Sequence, residues 1–242
     1  LRDAMSAWLL PPAVDVANRF RLDNVLQYAH RIGLNSLNQN TRYDLSLLER
    51  GGEVSVLDVA YAYSVLASMG EMRGIETEPV ALNYRVRNPV AVLRIEDRNG
   101  KILFEHTPRS KKVLSAETAY LMTSVLQDVV RTGTATRLRI GRPVAAKTGT
   151  SSDMRDGWLV AYTPDIVAAF WAGHDKNDGT VPAGGRIGPA FLNPIMIAAH
   201  SGLPEREFAR PAGISPAIAV CNKSGKRPGP HCPPENIVTD FF

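Results

Sequence analysis

Apolar and polar positions alternate with two different periods along the chain, and the change of period divides it. Pro11 and Pro12 sit where the first turn of a helix tolerates proline. Ala13 to Phe20 and Asn24 to Arg31 then read as two helices, with Asp23 as the cap of the second. Ser55 opens another helix, and Asp58 completes an S-x-x-D capping box. Val59, Tyr63, Leu66 and Ala67 keep helical spacing there, and Gly70 ends it. Beyond this helical part the period drops to two. Ala91, Leu93 and Ile95 alternate with Val92, Arg94 and Glu96, Asn99-Gly100 follows, and Ile102-Leu103-Phe104 returns, which predicts a hairpin. Ser115 caps a long helix running to about Val130 and stopped by Gly133. Val144 to Thr150, Trp158 to Tyr162 and Ile166 to Trp171 predict three consecutive strands, the last two joined by a tight turn at Thr163-Pro164-Asp165. Phe191 to Ala199 predicts a short final helix against that sheet. No internal repeat is present.

The chain has 242 residues, enough for one large domain, or one domain and a tail. Prolines and charges dominate from Gly202 on, so residues 1–201 are expected to form the domain and 202–242 a Pro/Gly-rich tail or linker. A hydrophobic content of 44% supplies a core. The formal charge of +4 suits an anionic surface without indicating nucleic acid, since no basic-aromatic interleaving accompanies it. No apolar run approaches the roughly 18 residues that span a membrane, so if the parent protein is membrane-anchored its anchor is expected upstream. The histidines show no metal-ligand spacing. Cys221 and Cys232 could pair in an oxidising compartment or remain free thiols; zinc would need more ligands than His231 adds.

The chemistry concentrates in Val144-Ala145-Ala146-Lys147-Thr148-Gly149-Thr150. A strand edge offers unpaired N–H and C=O groups to an extended peptide. Gly149 permits close approach of a substrate backbone, Thr148 and Thr150 share one face, and Lys147 sets a cation beside an anionic ligand. Each has a plainer reading: lysines are mostly solvated and threonine favours strands. Asp156 and Trp158 read as structural, one holding a turn and the other packing between sheet and helix. Gly133-Thr134 reads as a helix stop.

The K-T-G triad, in context, resembles one of three motifs of penicillin-interacting serine acyltransferases, and further blocks extend the likeness across most of the chain. Leu1-Arg2-Asp3-Ala4 with Pro12-Ala13-Val14, Leu45-Ser46-Leu47 with Gly51 to Ser55, Arg131 to Ala135, Lys147 to Thr150 with Asp156 to Pro164, and Phe170 to Asp175 are similar, in order, to the transpeptidase region of class A penicillin-binding proteins. Two departures stand out. No serine has lysine three residues on, so the S-x-x-K nucleophile motif is expected upstream in a longer gene product. The S-x-N motif aligns on Trp8 and Leu10, which can neither relay a proton nor hydrogen-bond a substrate amide; Trp8 and Leu10 read as core residues. Ser36-Leu37-Asn38 spells the motif, but in a loop with Asn40 and Thr41, away from the Pro-Ala-Val block.

The resemblance implies an α+β fold of the penicillin-binding-protein/serine β-lactamase-like transpeptidase kind, N-terminally truncated, with an antiparallel sheet flanked by helices and an all-α lobe. It implies a DD-transpeptidase that crosslinks peptidoglycan stem peptides through a serine acyl-enzyme, is acylated by β-lactams, needs no cofactor or metal, and works outside the cytoplasm. It also implies a glycosyltransferase domain in the parent protein and no activity in these residues alone. Lys147 would be catalytic; Thr148, Gly149 and Thr150 would bind substrate. The two hydroxyls would take the ligand carboxylate, and the Thr150 N–H would be half of an oxyanion hole, where one donor contributes about 2.7–4 kcal/mol. An extracytoplasmic location favours a Cys221–Cys232 disulfide. The altered second motif raises an alternative, a non-catalytic scaffold or ligand-binding module. A β-lactamase or carboxypeptidase shares the triad but not the blocks around Glu53 and Trp171.

Overall fold

A computed structural model describes residues 2–37, 43–176 and 178–241. Helices come first: α1 (Arg2–Ser6), α2 (Leu10–Phe20), α3 (Leu22–Ile32), α4 (Leu47–Arg50) and α5 (Val56–Ala67). Short strands follow: β1 (Glu71–Arg73), β2 (Ile75–Glu76), β3 (Arg87–Asn88), β4 (Arg94–Glu96), β5 (Ile102–Glu105) and β6 (Ser110–Lys112). Then come α6 (Ala116–Arg131), β7 (Ala145–Thr150), β8 (Gly157–Tyr162), β9 (Val167–Ala172) and α7 (Gly184–Ala199), and last β10 (Ile218–Cys221), a 3-10 turn and β11 (Ile237–Asp240).

The three-stranded antiparallel sheet β7-β8-β9 is the framework. Its central strand β8 is buried on both faces, which is why it reads as a near-continuous apolar run. On one face of β8, Tyr162 is fully buried, meets Tyr63 of α5 edge-on and shares a 2.9 Å hydroxyl–hydroxyl hydrogen bond with Thr123 of α6. On the other face Leu159 meets α7, and a Cβ at Gly188 would lie 2.6 Å from the Leu159 Cβ. The helices therefore cover both faces of the sheet. Ala145, Ala146 and Ala161, all wholly buried, keep the layers close.

The two Ser caps form as their sequences predict: the Ser55 and Ser115 hydroxyls accept from the Asp58 and Thr118 N–H groups. The Asp58 carboxylate, however, does not return to Ser55. It accepts from the Ser36 N–H and pairs with Arg85, tying the loop before α5 to the lobe. Asp23 is not the cap of α3. The helix begins one residue earlier, behind Arg21 at φ 64°, so Asp23 lies inside the first turn, where its charge favours the positive helix end. The final helix is longer than its periodicity suggests: α7 starts at Gly184 and carries Pro189 and Pro194 inside. Its glycines and prolines hide it from a propensity argument, while packing against β8 supplies what propensity lacks. The two- and three-residue strands β1, β2, β3 and β6 are too short to show a period. The hairpin β4–β5 forms around Gly100 at φ 79°. Asn38, Asn40 and Thr41 lie outside the described residues.

Past residue 201 the chain stays against the body. Phe208 enters the main core, Ile214 is buried, and β10 pairs with β11. Cys221 and Cys232 form a disulfide with Cα atoms 6.1 Å apart. Arg2 of α1 pairs with Asp240 and Asp128 and donates to the Ser124 hydroxyl at 3.0 Å, joining both chain ends to α6. No helix among the described residues is long and apolar enough to cross a membrane.

Candidate active site

β7 pairs only with β8 among the described residues, so its outer edge carries Lys147 to Thr150 with no strand beside it. Lys147 and Gly149 face one side, Thr148 and Thr150 the other, as the pleat requires. The Thr148 hydroxyl is buried and lies 2.6 Å from the Thr134 hydroxyl. The Thr150 hydroxyl accepts from the Gly184 N–H at 3.2 Å, at the N-terminus of α7. That bond uses an oxygen lone pair and leaves the Thr150 proton able to be donated to a carboxylate.

Glycines around the strand admit this closeness. A Cβ at Gly149 would lie 3.1 Å from the Trp158 Cβ. One at Gly184 would lie 2.0 Å from the Trp158 carbonyl oxygen, and one at Gly185 2.3 Å from that of Thr134. The start of α7 is thus pressed onto the site strand and onto the turn that holds Thr134. Gly133 plays the same part toward α1, where a Cβ would meet the Ser6 carbonyl oxygen at 2.4 Å; the Thr134 N–H donates to that oxygen at 3.1 Å.

Lys147 donates to the Thr148 carbonyl at 3.0 Å, and its Nζ lies 3.5 Å from the centroid of the Trp8 ring. Burial pushes the ammonium down to about 7. The π face of the indole acts the opposite way, since it attracts the cation.

The candidate residues Lys147, Thr148, Gly149 and Thr150 therefore share one edge, with their hydroxyls and ammonium anchored by residues from three other segments. Two of these contributors look different in the sequence. Thr134 reads as part of a helix stop, yet its hydroxyl meets that of Thr148; only the pairing of two distant threonines in space reveals this. Trp8 reads as core, but its side is turned out and 46% exposed, with the ring over Lys147. Leu10 is half-buried as the first residue of α2. The Asp156 carboxylate reaches across to β9 rather than into its own turn, accepting from the Trp171 indole N–H at 2.8 Å, and Trp158 packs on Trp171 of the same sheet at 6.3 Å between centroids. Ser36 accepts from the Ser55 N–H at the start of α5. Among the described residues no three His, Cys, Asp or Glu side chains converge on a metal position.

This geometry can hold an extended, anionic ligand along a strand edge beside a lysine. The described arrangement matches known proteins. Residues 1–197 match the model of the penicillin binding protein transpeptidase domain. The whole chain is 29% identical to penicillin-binding protein 1A of Clostridium tetani, covering 31% of it. Over 88% of its length it is 31% identical to penicillin-binding protein 1A of Neisseria meningitidis, covering 26%. The chain thus spans about a third or less of these relatives. Among solved structures, penicillin-binding protein 1A of Haemophilus influenzae superposes over all of the chain and 39% of its own, with TM-score 0.81 and 20% identity. PonA1 of Mycobacterium tuberculosis in complex with penicillin V superposes over 78% of the chain and 52% of its own, with TM-score 0.62 and 24% identity. With its sheet, helical layers and K-T-G edge arranged in this way, the chain belongs to the penicillin-binding protein transpeptidase domain family.

Proposed function

We propose that this chain is the C-terminal portion of a peptidoglycan DD-transpeptidase domain and that the protein crosslinks stem peptides at the Lys147–Thr150 edge. The observation that carries the reading is the half-buried Lys147 beside an open strand edge that ends in a hydroxyl, Thr150, with its proton free to be given. The nucleophile is a serine outside these residues. Its Oγ attacks the penultimate D-Ala carbonyl carbon and gives up its proton. The C–N bond breaks, and D-Ala leaves with a proton on its nitrogen. An amine of a second stem peptide then attacks the acyl carbon, loses a proton and frees the serine oxygen, which is reprotonated. Splitting one acyl transfer into two steps lowers each barrier. Thr148 and Thr150 hold the carboxylate, and the Thr150 N–H serves the oxyanion. β-Lactams acylate the same serine. A glycosyltransferase domain and an upstream membrane anchor complete the protein, which acts on the outer face of the cell membrane, and these residues alone perform no acyl transfer.

The test is to label the full-length gene product with a fluorescent penicillin and to read the adduct by intact mass. A stable adduct mapping to a serine in an S-x-x-K segment is expected. A folded protein that takes no label at high concentration would refute the enzyme and leave the scaffold reading, to which the aromatic Trp8 at the aligned S-x-N position points.

A further inference from the structure

Lys147 is a half-buried cation without an acidic partner among the described residues. No ion pair among the described residues includes it. Its two electrostatic contacts are the Thr148 carbonyl oxygen and the face of Trp8.

Trp8 is placed there at a conformational cost. It sits at φ 58°, in the left-handed region that a bulky side chain rarely adopts. The Leu9 N–H reaches back to the Ala4 carbonyl at 2.8 Å, the six-to-one bond of a left-handed helix stop, where glycine or asparagine is usual. The surroundings over-determine the turn. Arg2 fastens the start of α1 to α6 through Asp128 and Ser124. The Ser6 carbonyl at its end accepts from Thr134, which in turn meets Thr148 on the site strand. Strain of this kind, held by neighbouring contacts, marks functional positions.

We propose that Trp8 is a positioning residue: its indole face, together with the Thr148 carbonyl, holds the Lys147 ammonium at the β7 edge. This rests on the reading of the edge as the transpeptidase site. A π face orients a cation without accepting or giving a proton. Lys147 here is therefore held electrostatically rather than through a hydroxyl relay, and its protonation depends on the aromatic character of residue 8 rather than on its bulk.

The experiment compares the native full-length protein with Trp8→Phe and Trp8→Leu. Acetic anhydride labelling between pH 4.5 and 11, read on the Lys147 peptide by mass spectrometry, gives the midpoint of the Lys147 amine. Leucine keeps an apolar cover but removes the π face, so its midpoint falls by roughly 0.4–1.5 pH units, the span of a cation–π contact. Phenylalanine restores most of that shift, and the pH profile of penicillin acylation moves with the labelling midpoint. Equal midpoints for Phe and Leu would overturn the proposal. Should Trp8→Leu fail to fold, Lys147→Met decides: loss of the ammonium shifts the tryptophan fluorescence of the native protein but not that of Trp8→Phe if the contact exists, and an equal change in both refutes it. If even the native protein takes no penicillin, the transpeptidase reading fails while the labelling midpoints still decide the role of Trp8.

Discussion

The hydroxyl–hydroxyl bond between Thr123 and Tyr162 gives a test of how the helical layer is fastened to the site sheet. Both residues have no exposed surface, and the 2.9 Å contact joins the middle of α6 to the last residue of β8. Thr123→Val keeps the shape and strands the Tyr162 hydroxyl. A buried polar group left without a partner costs about 1–3 kcal/mol. Tyr162→Phe strands the Thr123 oxygen instead, but a threonine inside a helix can turn its proton to the carbonyl four residues back. That variant should lose less, about 1 kcal/mol. With both hydroxyls removed nothing polar is left unpaired, so the double variant should lie close to the milder single one rather than at the sum. The coupling between the two sites is then about 1–3 kcal/mol, the cost of Thr123→Val alone. Urea unfolding reads this as shifts in midpoint at constant slope. For a chain of this size each kcal/mol moves the thermal midpoint by about 2–4 °C. Additive single and double variants would refute the reasoning, because they would mean that the two hydroxyls do not satisfy each other.

Gly184→Ala puts a Cβ 2.0 Å from the Trp158 carbonyl oxygen and 2.6 Å from that of Gly149, neither of which can step aside as a flexible side chain could. It should cost about 3 kcal/mol or more and abolish penicillin labelling, whereas Gly202→Ala, far from any atom though at φ 80°, should leave labelling intact. Because Lys147 titrates near 7 when folded and near 10.5 when unfolded, the unfolded chain binds more protons between those values, and this residue makes stability rise with pH across that window. Lys147→Met should flatten that slope relative to the native protein, and parallel curves would count against a half-buried lysine. Burial raises Asp240, but the hydrogen bond and charge of Arg2 outweigh it and leave the carboxyl below 3.8. Its contribution is present above that value and lost as pH falls through the lower folded one. Asp240→Asn should therefore lessen acid sensitivity below pH 4 in denaturant titrations, and an unchanged acid limb would show that the pair does not hold the chain ends.

The local devices were legible because they are local. Ser55 and Ser115 cap their helices through the residue three positions on, Asn99-Gly100 turns a hairpin, and the apolar runs from Val144 to Trp171 make strands whichever way the rest folds. The motif from Lys147 to Thr150 likewise places a cation, a glycine and two hydroxyls on one strand by spacing alone, and the ordered blocks around it identify the family. What tertiary structure alone decided is the company these residues keep. Thr134 reaches Thr148, Gly184 reaches Thr150, and Trp8 reaches Lys147 from segments that lie 14, 34 and 139 positions away by residue number. The glycines at 133, 184 and 185 carry no side-chain signal; their meaning is the backbone they admit. Trp8 is the sharpest case, since an aromatic residue near two prolines reads as core by composition. Only the left-handed turn at the end of α1, which no periodicity encodes, swings its ring over a lysine whose burial makes that contact matter.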